Sequence, residues 1–432
     1  MRTRPRIALL AAVVPGLLLP AAGPASAATP AAPAAAAESE PFRPAAGTFA
    51  PLDKAHAYRG ELVFVDHANR RGSIRVQGSG MFFRNDPHPF AMLPYGIVRQ
   101  HDAPADLRDI PLGTVLHVKA FLPPEPQISA VPVLPVGNKN ADANHNRGAG
   151  IFPAENHVLL LEDEPSHCRR EGKVWKLDEV EIKNGAGMLR ARCEPREGGD
   201  SPAAVETLTF DAGTRIWRGR EKLALEDFVA EGAWPAEGKK PLSGQPVFLG
   251  ICWKPTPDGI FTRFHVADIW LDDAALDRAA RGQAEVHKAF VRGRWMPARV
   301  DAVDYGTFGR ATVTVTLYGG MDPALYADFQ KGAAGRINAV GSTLRHVHGA
   351  YGPGHMSSNG TIVDVVTASG APPLGSSGIQ VRLETDLIIE GIRPGRTVRI
   401  QPGAWQLVNV PREEYGESLE ERFPSPAIFR KY

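Results

Sequence analysis

LRDIPLGTVLHV, residues 107–118, is a compact phrase: an acidic turn, an apolar pair, a glycine, then alternation into a strand. Variants of it return as LEDFVAEG…GQPVFL (225–249), FQKGAAGRINAV (329–340) and IEGIRPGRTVRI (389–400). In a small closed sheet such a phrase has a physical role. One helical turn, Leu107-Arg108-Asp109-Ile110, tucks its apolar side chains under the open end of a barrel. Gly113 supplies a backbone freedom that other residues lack, and Val115, with Leu116 or Val118, enters the closing strand. Closure removes exposed sheet edges, which are an aggregation hazard for a β protein.

Upstream of each phrase the pattern reads as a strand pair. In GELVFVDHANRRGSIRV (60–76), Leu62 and Phe64, and likewise Ile74 and Val76, fall two apart, the spacing that puts side chains on one strand face. VWKLDEVEIKNGAGMLRA (174–191) repeats the pattern, with Asn184-Gly185 supplying the positive φ of a tight hairpin. Met296–Leu317 and a shorter run, Gly360–Val381, give two more. The spacing therefore predicts a mainly β chain of tandem small OB-like or SH3-like β-barrels.

With 44 glycines and 38 prolines the helical reading is poor almost everywhere. The exception begins at Asp273, where Leu276, Ala279, Gln283, Val286 and Phe290 step three or four apart, with acids at the start and Arg292 and Arg294 at the far end. This predicts one bridging α-helix. The expected division is a first barrel over 55–165, a second over 166–272, the helix over 273–292 and a third barrel region over 293–412, either one elaborated barrel or two minimal ones, with a tail over 413–432.

The first 27 residues have the layout of a secretory signal peptide. Arg2, Arg4 and Arg6 precede an apolar run from Ile7 to Leu19, and Ala25-Ser26-Ala27 fits the small-x-small rule for cleavage. The run is shorter than the about 20 residues of a membrane span, and no later segment is long and apolar enough to make one. Residues 28–54, rich in Ala and Pro, read as a disordered tether. The expectation is a protein exported to the periplasm or beyond, with no membrane span in the mature chain.

Composition narrows the partners. The 49 basic and 48 acidic side chains are mixed along the chain and leave a formal charge of +1, so no basic stripe is available for a phosphate backbone and no nucleic-acid partner is expected. Three cysteines are too few for a disulfide scaffold. Cys168 and Cys193, on what reads as one meander, would gain on the order of 3 kcal/mol if bonded in an oxidising compartment; three small buried hydrophobes is the other reading.

Several strings resemble those of an uncharacterised family of secreted bacterial proteins with tandem OB-like β-barrel segments. They are Ile110–Thr114, VLLLEDEPS (158–166), TRIWRGREKLALEDF (214–228), HVADIWLDD (265–273) and SSGIQVRLETDLIIEGIRPGRTVRI (376–400). The similarity covers most of the mature chain. It implies the export and the barrels, and it carries over no functional residues.

The sharpest chemical motif is LRHVHGAYGPGH, in which His346 and His348 share a strand face and a Gly/Pro turn returns His355 as a third ligand for zinc or copper. GNKNADANHNRG (137–148) places oxygen donors at alternate positions, as calcium loops do, but has one carboxylate and reads as a polar loop. His101-Asp102 invites a general-base reading, yet strand neighbours face opposite ways, which favours core and loop. Trp175, Trp217, Trp253, Trp270 and Trp295 read as core, or as the lining of a sugar or peptide groove. No nucleophile elbow, phosphate loop or paired zinc cysteines occur. The sequence favours a non-enzymatic binding or structural module protein that presents grooves to an envelope or extracellular glycan or peptide, and needs no cofactor. The competing reading is a metal-binding protein or metal-dependent hydrolase built on His346, His348 and His355.

Overall fold

The computed structural model describes residues 42–45, 47–67, 70–76, 87–122, 156–196, 204–255, 262–338, 357–386 and 392–406. It is mainly β, with closed barrels of five, five and six strands in tandem and few helices. Among the described residues no helix is long and apolar enough to cross a membrane.

The first barrel uses β1 (His56–Asp66), β2 (Arg71–Val76), β3 (His88–Gln100), β5 (Val115–Phe121) and β6 (Asn156–Asp163) in the order β1-β2-β3-β6-β5, with β5 returning to β1. The β3–β6 pair is parallel and the others are antiparallel. A short β4 (Ala103–Ala105) folds back on the end of β3. The predicted hairpin pairs Leu62 with Ile74, but a bulge follows Leu62 and turns Phe64 out to solvent.

The opening phrase does what its pattern implies. Leu107–Asp109 is one 3-10 turn, capped reciprocally by Asp106 and Asp109. Leu107 and Ile110 are buried in the barrel core with Leu62, Phe90, Val118 and Leu161. Gly113 has φ +89, a region a side chain would strain, and its carbonyl accepts from the Trp253 amide of the next barrel at 2.8 Å.

The second barrel repeats the topology. Its strands are β7 (Lys173–Lys183), β8 (Ala186–Pro195), β9 (Ala204–Phe210), β12 (Gly238–Pro255) and β13 (Thr262–Trp270), in the order β7-β8-β9-β13-β12 with a parallel β9–β13 closure. The Asn184-Gly185 turn has φ values of +53 and +72, as the sequence predicts. Two short strands, β10 (Arg215–Arg218) and β11 (Glu221–Leu223), extend the sheet beyond β13. Helix α1 (Glu164–Arg170) links the two barrels, and α2 (Leu225–Ala230) drives Phe228 into the second core. Cys168 therefore lies on a helix, not on the strand meander that the spacing suggested.

Helix α3 runs from Asp273 to Arg294, with Asp272 as its cap. Ala275 and Leu276 join the second core and Val291 the third, whereas Val286, read as part of the apolar face, is exposed. The chain then enters one six-stranded antiparallel barrel. It contains β14 (Met296–Tyr305), β15 (Ala311–Tyr318), β16 (Ala334–Asn338), β17 (Ser357–Thr367), β18 (Ser376–Thr385) and β19 (Thr397–Pro402), closed in the order β14-β15-β18-β17-β16-β19. The third and fourth copies of the phrase lead into neighbouring strands, β16 and β19, of this one barrel. Their apolar caps, Phe329 and Ile392, share its core. Tyr318 of this barrel packs with Leu93, Tyr95, Phe121 and Leu159 of the first, and the two tyrosine rings meet edge-on at 6.1 Å.

Candidate functional site

Three consecutive acids, Glu162 and Asp163 at the end of strand β6 and Glu164 at the start of α1, are all buried. An ionised carboxylate is retained in such a place only where donors surround it. Each acid has its own set. Arg170 Nε donates to both oxygens of Glu162, at 2.9 and 2.8 Å. Asp163 caps α1: the Ser166 hydroxyl and amide donate to its Oδ1, and the His101 amide donates to Oδ2 at 2.7 Å. Burial nonetheless pushes the Asp163 carboxyl above the ordinary range.

Glu164 is the most heavily partnered. It accepts from Arg59 Nη2 at 2.9 Å, His117 Nε2 at 2.8 Å and Trp175 Nε1 at 3.0 Å. Burial alone would raise its pKa, but the charges and donors around it more than offset that and hold the carboxyl well below the usual range. Burial also pushes His117 down, against the pull of Glu164, while the charges of His117 and Arg59 together draw Glu164 below its ordinary range. Arg59 also donates to Glu206 on β9 at 2.6 Å, tying the two barrels together. The His117 ring stacks on His167, with centroids 3.7 Å apart. Cys168 and Cys193 stand as thiols at the edge of this cluster, within 4.8 Å of each other and of a Glu164 oxygen.

Two cavities lie on opposite sides of α3, and Glu162 lines one of them. With a helical period of 3.6 residues, Asp273 and Asp277 fall on one face, and Ala275, Arg278, Ala279 and Gly282 on another. The first face borders a cavity of about 700 Å³ lined also by Arg99, Asp102, Glu162, Arg169, Arg170, Lys173 and Arg196. The second borders a groove of about 230 Å³ lined by His101, Arg215, Trp217, Asp268 and Trp270. Between them stands the turn His101-Asp102, in which both residues have positive φ, +53 and +64. Non-glycine residues hold that conformation only where the surroundings impose it. Here Asp163 and Ser166 accept hydrogen bonds from the two turn amides. Asp163 and Ser166 thus position the element that separates the cavities.

In the larger cavity every carboxylate is matched. Arg169 donates to Asp277 at 2.6 Å, Asp273 at 3.2 Å and Asp102 at 3.3 Å, Arg196 also pairs with Asp273, and Arg99 with Asp102. The Glu162–Arg170 pair completes the matching. Lys173 adds a cation to the wall. In the smaller groove, Arg215 grips Asp268 through two nitrogens, and Trp217 Nε1 donates to Asp268 Oδ1 at 2.9 Å. That fixes the indole of Trp217, which is partly exposed, beside a carboxylate.

His346, His348 and His355 lie outside the described residues, as does the loop 137–148. Of the recurring tryptophans, the partly exposed Trp217 and the buried Trp270 border the smaller groove, while Trp175 and Trp295 are buried away from it. The Glu162–Glu164 run escaped the sequence reading because acids before a proline look like an exposed helix start. The signal was position: the acids directly follow the wholly apolar run Val158–Leu161, with no polar turn between. Compared with known family models, curated proteins and solved structures, the chain matches none.

Proposed function

We propose that this chain is an exported, non-enzymatic binding protein whose ligand is a glycan carrying acidic groups, held in the two cavities beside α3. The observation that carries the reading is the smaller groove: a partly exposed Trp217 ring fixed by Asp268, with Trp270 and His101 beside it and small residues on the helix wall. A flat ring next to a carboxylate whose orientation is already set suits the apolar face and the hydroxyls of a sugar. The larger cavity is lined by five cations, Arg99, Arg169, Arg170, Lys173 and Arg196, against four carboxylates, Asp102, Glu162, Asp273 and Asp277, a balance that favours acidic substituents on the units that follow. The strand order of both five-stranded barrels, with a short helical element before the fourth strand of the closed sheet, supports reading them as OB-folds, a scaffold that binds oligosaccharides.

The test is a glycan-array screen of the mature chain, followed by titration of the best hits. Trp217→Ala and Arg215→Ala are expected to weaken binding at least about tenfold, the scale of one lost aromatic or charge-assisted contact. Binding that is unchanged in both variants, or a wild type that binds acidic peptides and no glycan, overturns the proposal.

A further inference from the structure

Cys168 and Cys193 meet where the two five-stranded barrels join. Cys168 is fully buried on α1; Cys193 lies half-buried on β8, opposite Trp175 in the β7–β8 register. Their sulfurs lie within 4.8 Å of each other, close enough for a change of side-chain rotamer to bring them together. We infer that these two thiols close to a disulfide when the chain enters an oxidising compartment, stapling the helix that ends the first barrel to the second barrel's sheet. The inference rests on the proposed export.

The neighbouring carboxylate argues for a bond over a metal. Glu164 would be the third ligand, but its oxygens already accept from Arg59, His117 and Trp175, and the Arg59 guanidinium at 2.9 Å opposes a second cation. The two sulfurs are also suited to different steps. The adjacent Cys168 sulfur, with Lys173 and Arg59 nearby, holds the Cys193 thiol below its ordinary range; the same proximity, burial and Glu164 push Cys168 up. The half-buried Cys193 is therefore the attacking thiol and Cys168 the resolving one.

The oxidant is a disulfide of a small thiol or of a thiol-oxidising protein. Cys193 thiolate attacks one of its sulfurs, forming a mixed disulfide and releasing the other as a thiolate, which takes up the Cys193 proton. Cys168 sulfur then attacks Cys193 sulfur, expelling the second thiol, which carries off the Cys168 proton. Two protein thiols are oxidised and one disulfide is reduced to two thiols, with Cys252 left over. The staple fixes α1, whose Arg169 and Arg170 line the larger cavity.

The full chain is isolated from the compartment where it accumulates and alkylated in denaturant without reductant. One alkylated cysteine before reduction, three after, and a Cys168–Cys193 cross-linked peptide in the unreduced digest are expected. In parallel, native reduced protein is incubated with oxidised glutathione and mapped in the same way. Cross-linking by glutathione with none in the cell-derived protein supports the pair and overturns the export. Three alkylatable cysteines after glutathione treatment, a link to Cys252, or stoichiometric zinc released on alkylation overturns the pair. Reduction of the cross-linked protein should lower Tm by roughly 5–10 °C, and Cys168→Ser with Cys193→Ser should show no such shift.

Discussion

The His101 imidazole packs edge-on against the Trp270 indole, ring centroids 5.1 Å apart, and so joins a turn of the first barrel to the last strand of the second. The contact holds a residue whose φ is +53. His101→Ala removes the ring and keeps a side chain in a region that costs about 1–2 kcal/mol without compensation. Urea unfolding should show a loss of about 1–2 kcal/mol, and Trp270 emission should change with it. An unaltered midpoint would mean that the turn is held by Asp163 and Ser166 alone.

Glu164→Gln keeps the shape and removes the charge that Arg59 faces. Breaking one side of a buried ion pair costs about 3–5 kcal/mol, and that loss is expected in urea at pH 7. The pH dependence has a definite sign. The folded-state carboxyl lies below its ordinary 4.5, so the unfolded chain binds the proton more tightly; the stabilisation is complete above that value and is lost as pH falls below it. Glu164→Gln should therefore flatten the stability profile below about pH 4.5.

His157 on β6 acts in a different window. Burial, with Arg71 nearby, lowers its pKa from 6.5 to about 4, and its Nε2 is buried without a hydrogen-bond partner among the described residues. The unfolded chain takes up this proton first, so stability is complete above pH 6.5 and falls as pH drops toward 4, by about 3 kcal/mol at most. In His157→Leu the slope between pH 6.5 and 4 should decrease, as measured by urea midpoints across that range.

Gly375 tests the seam between the first and third barrels. It has φ +91, and a Cβ there would stand 2.6 Å from Tyr95 Cδ2 and 2.8 Å from the Tyr95 carbonyl oxygen. Both the backbone region and the contact oppose a side chain, so Gly375→Ala is expected to cost roughly 2–4 kcal/mol. Hydrogen exchange should rise first at Gly319, whose amide donates to the Gly375 carbonyl.

Local physics made much of this fold readable. The hairpin turn at Asn184-Gly185, the cap formed by Leu107 and Ile110 and the helix that begins at Asp273 each depend on residues close in sequence. The parallel pairings β3–β6 and β9–β13 were not readable, because each joins segments far apart in sequence whose apolar patterns name no partner. Copies of one phrase also could not reveal that two of them close the same barrel. The candidate site was the least legible part. Trp217 and Trp270 were read first as core, with a groove lining as the alternative, and Glu164 acquires its meaning from Arg59, His117 and Trp175, which reach it from three strands. The histidine cluster His346, His348 and His355 drew attention through local density alone.

Helix α3 touches every one of the three barrels: Leu276 enters the second core, Gln283 donates to Asp109 at the base of the first, and Val291 enters the third. A spine shared in this way couples modules that each have a separate interior. Their melting should accordingly merge: calorimetry of the protein is expected to record a single heat-absorption peak, and excising any one module should leave the remaining two without a surface they were built to lean on.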